Sequence, residues 1–236
     1  MSGLKRIDYS DNGTPLVALH GKPAGQARAA VAVFPTFMNS TPGVEAKARE
    51  LINEGYEVLI GDFYGPEAPA DPNEAFVALE KLRGDPPAMR QRLRATLDLL
   101  SELAPDLPHL AIGFCLGGMA VLEMARDGQD LLAVASFHGL LETRLPAQDR
   151  PRARMLVCHG DRDELVPRSH VMAFWEEMDE VGADWHFQSY ANVGHGFTAK
   201  VGLDGSPNPA FDASADRQSW QAMLGLFDEV LSNPRT

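Results

Sequence analysis

The sequence predicts an α/β fold, a mainly parallel central sheet with helices on both faces. Three observations carry this reading. Short apolar runs alternate with longer segments of helical periodicity along the chain. The runs are apolar at successive positions, as expected of strands covered on both faces. The segments between them are long enough to be the crossovers that parallel strands require. With 236 residues, 44% of them hydrophobic, the chain can build a sizeable core. It shows no repeat, low-complexity tract or linker and reads as a single domain over 1–236.

The elements follow in order. Residues 29–34 are a buried strand, and a turn containing Pro35 and Asn39 comes next. A helix over about 43–53 is stopped by Gly55, and 56–60 form a strand ending at Gly61-Asp62. After a Pro-rich loop, Asp85 is placed to cap a long helix. Pro86 and Pro87 sit in its first turn, where a missing N–H costs nothing, and it runs to Leu103. The alternation then continues with a strand at 109–114, a helix at 117–125 and strands at 131–137 and 155–158. A helix at 168–181, a strand at 185–190 and a helix at 213–231 complete it.

Composition narrows the function. There are 21 Lys and Arg against 33 Asp and Glu, a formal charge of −12, which argues against binding a phosphate backbone. No apolar run approaches the roughly 18–20 residues of a membrane span, and no apolar stretch follows Lys5 and Arg6 as in a signal peptide. A cytoplasmic protein without nucleic-acid or membrane partners is expected, either monomer or homodimer. Two cysteines, Cys115 and Cys158, are too few for a disulfide scaffold or a thiolate zinc site. No cofactor or metal is called for.

Ligands of such sheets sit at the carboxyl ends of the strands. The polar residues found there are Thr36, Asp62, Cys115, His138, Asp163 and His195. Gly113-Phe114-Cys115-Leu116-Gly117 fits the nucleophile elbow G-x-S-x-G with sulfur for oxygen, between a strand and a helix. The glycines let the turn close, and the helix N-terminus just beyond favours both a thiolate and an oxyanion. A buried structural cysteine would give the same local pattern, so the rest of the chain decides. In the α/β-hydrolase order the acid and then the base follow the nucleophile. Gly160-Asp161-Arg162-Asp163 supplies carboxylates after one strand, and Gly194-His195-Gly196-Phe197 supplies a histidine after the last. Such an imidazole takes the thiol proton and returns one to the leaving group, while a carboxylate fixes its tautomer.

Three motifs in this order make the chain similar to the dienelactone hydrolase family of α/β-hydrolases. Gly113 through Gly118 matches the family's G-x-C-x-G-G, Gly160 through Pro167 its G-x-x-D-x-x-V-P, and Gly194 through Phe197 its G-H-x-F. The resemblance covers essentially the whole chain, including Gly61-Asp62-Phe63-Tyr64-Gly65, close to the family's D-x-Y-G. It implies an α/β-hydrolase fold and a catalytic Cys115, Asp163 and His195, with Asp161 a solvated rival to Asp163. The oxyanion hole would be the N–H of Leu116 and one from the loop after the first strand, by family position Phe37. Thr36, His138, Asp62, Tyr64 and Phe197 are candidates for lining the pocket or supporting the triad.

Two positions depart from the pattern. The family carries a Glu after the early strand that helps switch the cysteine between thiol and thiolate; Thr36 stands there, implying direct activation of Cys115 by His195. An Arg four residues beyond the base binds the dienelactone carboxylate; the position is Ala199, and the neighbouring Lys200 does not replace a bidentate guanidinium. The expected activity is therefore hydrolysis of an ester or lactone of unassigned identity. The alternatives are a thioesterase or acyltransferase using the same triad, and a catalytically silent hydrolase-fold binding protein. Of the remaining features, Cys158 is expected to be a packed thiol, and Arg90, Arg92 and Arg94 a solvated helix surface.

Overall fold

In the computed structural model, which describes residues 3–202 and 204–233, the chain opens with an antiparallel hairpin of β1 (Lys5–Asp11) and β2 (Thr14–Gly21). Its turn is Asn12-Gly13, with φ of 45° and 81°. Two residues of positive φ match the twist of the flanking strands, which is why Asn-Gly is favoured in such turns. Then come β3 (Ala30–Phe34), α1 (Pro42–Asn53), β4 (Glu57–Ile60), a 3-10 turn (Gly65–Glu67), α2 (Pro72–Gly84) and α3 (Pro86–Leu103). The second half adds β5 (His109–Phe114), α4 (Leu116–Arg126), β6 (Ala133–Phe137) and β7 (Arg154–Gly160). It ends with α5 (Arg168–Glu180), β8 (Trp185–Tyr190) and α6 (Ala213–Ser232).

Eight strands form one sheet in the order β1-β2-β4-β3-β5-β6-β7-β8. From β4 to β8 every pairing is parallel, and the hairpin joins antiparallel through β2. Alternate strand residues serve two cores. Ala32, Phe34, Ala111, Val134 and Val157 pack with Leu93, Met119, Leu122 and Phe174 of α3, α4 and α5. On the other face Val31, Val33, Ile112, Ala135 and Leu156 pack with Leu51 of α1 and Phe227 of α6. The two-sided burial accounts for the unbroken apolar runs.

Local signals explain the element ends. Asp85 accepts a hydrogen bond from Ala88 N and so caps α3, as its sequence predicts. The hairpin and α2 lie where the sequence gives no strand and a loop. In α2 only Ala75 and Leu79 are buried, so its apolar stripe is thin; the Asp71 cap and Pro72 are its markers.

The arginines of α3 correct an expectation. They do not form a solvated surface. Arg90 is buried and bonds Glu123 of α4, Arg92 bonds Asp11 of β1, and Arg94 pairs with Asp127 at the end of α4. Their spacing along α3 conceals this because the partners lie on two other elements, β1 and the end of α4. Arg126, with a fully buried side chain, extends the network to Glu123, Glu177 and the carbonyl of Leu141. Removing one member of such a network leaves charges buried without partners, at a cost of about 3–5 kcal/mol. Arg126→Met is therefore expected to lose about 3 kcal/mol of stability in urea unfolding; a loss below about 1 kcal/mol would show the network to be dispensable.

Candidate active site

The sheet register brings the candidate residues to one edge. Phe114 of β5 lies opposite Phe137 of β6, which lies opposite Cys158 of β7. The next residues continue the row: Cys115 N–H donates to the Phe137 carbonyl at 3.0 Å, and His138 N–H to the Cys158 carbonyl at 2.8 Å. Cys115 has φ 55° and ψ −114°, a conformation an L-residue adopts only when its surroundings hold it there. The glycines on either side make that turn sterically feasible. A Cβ on Gly113 would lie 1.9 Å from the Gly117 carbonyl oxygen, and one on Gly117 would lie 1.9 Å from that of Phe34. Helix α4 begins at Leu116, so the free N–H groups of its first turn gather beside the sulfur.

Two loops deliver the other groups. Gly160 ends β7 where a Cβ would meet the Val193 carbonyl at 2.5 Å, allowing the chain after β8 to pass close. Backbone bonds from Asp161 N to Tyr190 O and from Arg162 N to Val193 O join the two segments. Asp163 is 4% exposed; its Oδ1 accepts from Leu165 N, and its Oδ2 accepts from His195 Nδ1 at 2.7 Å. Asp161 instead faces outward and pairs with Arg168, which holds its carboxyl below the usual range. Of the two carboxylates, Asp163 meets His195 and Asp161 meets Arg168.

His195 Nε2 is buried, has no hydrogen bond of regular geometry, and has Cys115 as its neighbour. Burial disfavours a charged ring here. The bonds and charges of Asp163 and Cys115 outweigh it and push the pKa up to about 10. His138 is 3% exposed, and its ring packs edge-on against His195 with centroids 5.1 Å apart. Burial, followed by the proximity of His195, holds His138 well below the ordinary histidine pKa.

The loop after β3 closes the opposite side. Thr36 Oγ1 is spent on the turn itself, accepting from Met38 N and donating to the Asn39 carbonyl. Tyr64, buried beneath, donates its hydroxyl to the Phe37 carbonyl at 2.9 Å; burial and then the charge of Cys115 push its pKa up. Asp62 does not line a cleft with its carboxylate. It is buried and accepts from Val17 N, Tyr64 N, Gly65 N and Asn39 Nδ2. Asn39, with φ 63°, in turn accepts from Phe63 N at its Oδ1, so the 36–39 turn is latched to the segment after β4. The Phe37 ring packs at 5.1 Å from Phe76 of α2, which is 55% exposed.

Phe197 is fully buried against His138 and Tyr190, a packing role rather than a lining one. Ala199 is half-buried, and Lys200 reaches over the Phe211 ring at 6.0 Å. Cys158 is sealed in the core and burial raises its thiol pKa, in keeping with a packed bystander. Sequence reasoning missed the side chains of Asn39 and Thr198. The first was legible only as a turn residue, and the second, bonded to His138 Nε2 at 2.8 Å, carried no signal. Among the described residues no cluster of three or more His, Cys, Asp or Glu is arranged to hold a metal ion. Nor is any helix among them long and apolar enough to cross a membrane.

A strained cysteine elbow, a buried Asp–His pair and this strand order define an α/β-hydrolase-fold enzyme. The dienelactone hydrolase family profile matches residues 16–231, and the chain belongs to that family. It is similar to the crystal structure of a dienelactone hydrolase-like promiscuous phosphotriesterase from metagenomic libraries. The two share 31% identity and a TM-score of 0.88, over 97% of this chain and 98% of that one. An uncharacterized Caenorhabditis elegans protein is 35% identical over 150 residues, 61% of this chain and 95% of its own. The human carboxymethylenebutenolidase homolog is 21% identical over 86% of each chain.

The charge on His195 has a consequence for stability. Its folded pKa of about 10 lies above the roughly 6.5 of an unfolded histidine. The stabilisation is therefore complete below about pH 6.5 and is lost as pH rises through about 10. Urea unfolding across that range is expected to show a steeper decline in the wild type than in His195→Gln. Parallel pH dependences would contradict the charged-ring assignment.

Proposed function

We propose that the protein is a cysteine hydrolase that cleaves a carboxylic ester or lactone through Cys115, His195 and Asp163. One observation carries the reading: His195 stands between a buried Asp163 and Cys115, and the pair favours its protonated ring. The Cys115 sulfur, held as a thiolate by the protonated ring of His195, attacks the carbonyl carbon. The N–H groups of Leu116 and Phe37 stabilise the tetrahedral oxyanion. Its collapse breaks the carbon–oxygen bond, and the leaving alkoxide receives the proton from His195 and departs as an alcohol. Water, losing a proton to His195, then attacks the thioester; the thiolate is expelled and the acid released. Asp163 holds the imidazole tautomer and balances its charge throughout.

The surroundings favour an uncharged substrate. Arg90, Arg92, Arg94 and Arg126 are committed to ion pairs, and Lys200 lies over Phe211, while Phe37 and Phe76 offer aromatic surface. A second reading, a secondary activity on phosphotriesters, is favoured by the 31% identical promiscuous phosphotriesterase. An in-line attack by the same sulfur on phosphorus would use the same groups.

Wild type and Cys115→Ala should be assayed in parallel on p-nitrophenyl esters, lactones, thioesters and a p-nitrophenyl phosphotriester. The substitution is expected to remove about 10³-fold or more of every activity the wild type shows. Neutral esters are expected to exceed their carboxylate-bearing analogues in kcat/KM. Turnover surviving the substitution would overturn the mechanism. Inactivity on all four classes, with Cys115 unreactive in the folded protein, would favour a silent binding role.

A further inference from the structure

The proposed triad leaves the buried His138 unaccounted for. His138 follows the last residue of β6 at φ 42°, a left-handed conformation that is uncommon for a residue other than glycine. Packing over-determines it: His138 N–H bonds the Cys158 carbonyl, and at Gly139 a Cβ would meet the Gly118 backbone at 2.5 Å, so the chain is pressed onto α4. Strain maintained beside a reactive elbow points to a role at that elbow. The ring's own bonds also fix its state. Nε2 meets the Thr198 hydroxyl at 2.8 Å, while Nδ1 is buried with no hydrogen-bond partner. A doubly protonated ring would bury an N–H without an acceptor, so the ring is neutral and is anchored through Nε2 alone. Phe197 packs against one side of the ring at 5.2 Å, interplanar 77°, and His195 against another at 5.1 Å, interplanar 69°.

We propose that His138 is a positioning residue: a neutral imidazole, clamped by Thr198, whose ring braces His195 so that Nε2 stays on Cys115. Asp163 fixes His195 at one atom only, Nδ1, and a single bond leaves the ring free to swing about it. The edge-on contact supplies the missing second constraint. Neutrality matters as much as shape, because a cation at this distance would oppose the charge that His195 acquires. Thr198, three residues after His195, ties the brace to the same loop that carries the base, so base and brace move together.

The inference rests on the proposed Cys115–His195 pairing, and its test has a readout that needs no substrate. His195 is faced by Asp163 from the loop after β7, Cys115 from the elbow, His138 from β6 and His159 from β7; Asp161 in turn faces His159. Iodoacetamide alkylation of Cys115, followed across pH by mass spectrometry, reports how well His195 supports the thiolate. His138→Asn tolerates the positive φ but loses the ring, and Thr198→Val removes the clamp at nearly constant volume. In each variant the alkylation midpoint is expected to rise by about one pH unit, the scale of one weakened charge contact. Thr198→Ser, which keeps the hydroxyl, should restore the wild-type profile. On whichever ester proves active, kcat is expected to fall about 10- to 100-fold with KM little changed. A double His138→Asn/Thr198→Val variant should be no worse than His138→Asn alone. If His138→Asn does not fold, Thr198→Val carries the test. Profiles of folded variants that superimpose on wild type would overturn the brace. Failure of the ester assays with a shifted alkylation profile would instead reject the substrate class and leave the brace standing.

Discussion

Everything at the carboxyl edge of the sheet depends on how closely three backbone segments cross. Strand β3, strand β5 and the first turn of α4 approach until carbonyl oxygens occupy the space a Cβ would need at Gly113 and Gly117. The crossing fixes Cys115 in its strained conformation, aims α4 at it, and sets the loop after β3 alongside. No side chain could substitute for this closeness. It is a constraint on volume, met by leaving atoms out.

A second layer is electrostatic. The edge must hold a cationic ring at His195 in a place that burial makes unfavourable. It does so with a carboxylate that is itself buried and bonded at one oxygen by a backbone N–H and at the other by the imidazole. Around this pair the neighbours are kept uncharged or turned away. His138 is neutral, Asp161 is drawn outward by Arg168, and the arginines of α3 are taken up in ion pairs within the scaffold.

The sequence made the doubly covered strands and the long capped helices legible because burial on two faces and cap chemistry leave local traces. Asp85 with Pro86 and Pro87 marks the start of α3 on those grounds. The triad candidates were equally visible, each next to glycines at the end of an apolar run. What escaped was half-buried or long-range. The β1–β2 hairpin presents exposed alternate residues, and only its Asn12-Gly13 turn announces it. Helix α2 buries two residues and reads as loop. Arg90 and Arg92 look like surface cations because Glu123 and Asp11 join them only through tertiary packing. Thr198 gains its meaning from a ring sixty residues earlier in the chain.

Helix α2 sets the site apart in one further respect. The groups proposed for chemistry ride on the sheet edge, whereas Phe76 reaches the Phe37 ring from a helix that buries only Ala75 and Leu79. The aromatic surface that Phe76 adds there sits on a different element from those that carry Cys115, Asp163 and His195. Insertions, deletions or new side chains there would leave the glycine crossing and the Asp163–His195 pair untouched. Selection can rewrite the guest list of such an enzyme without reopening the question of how it folds.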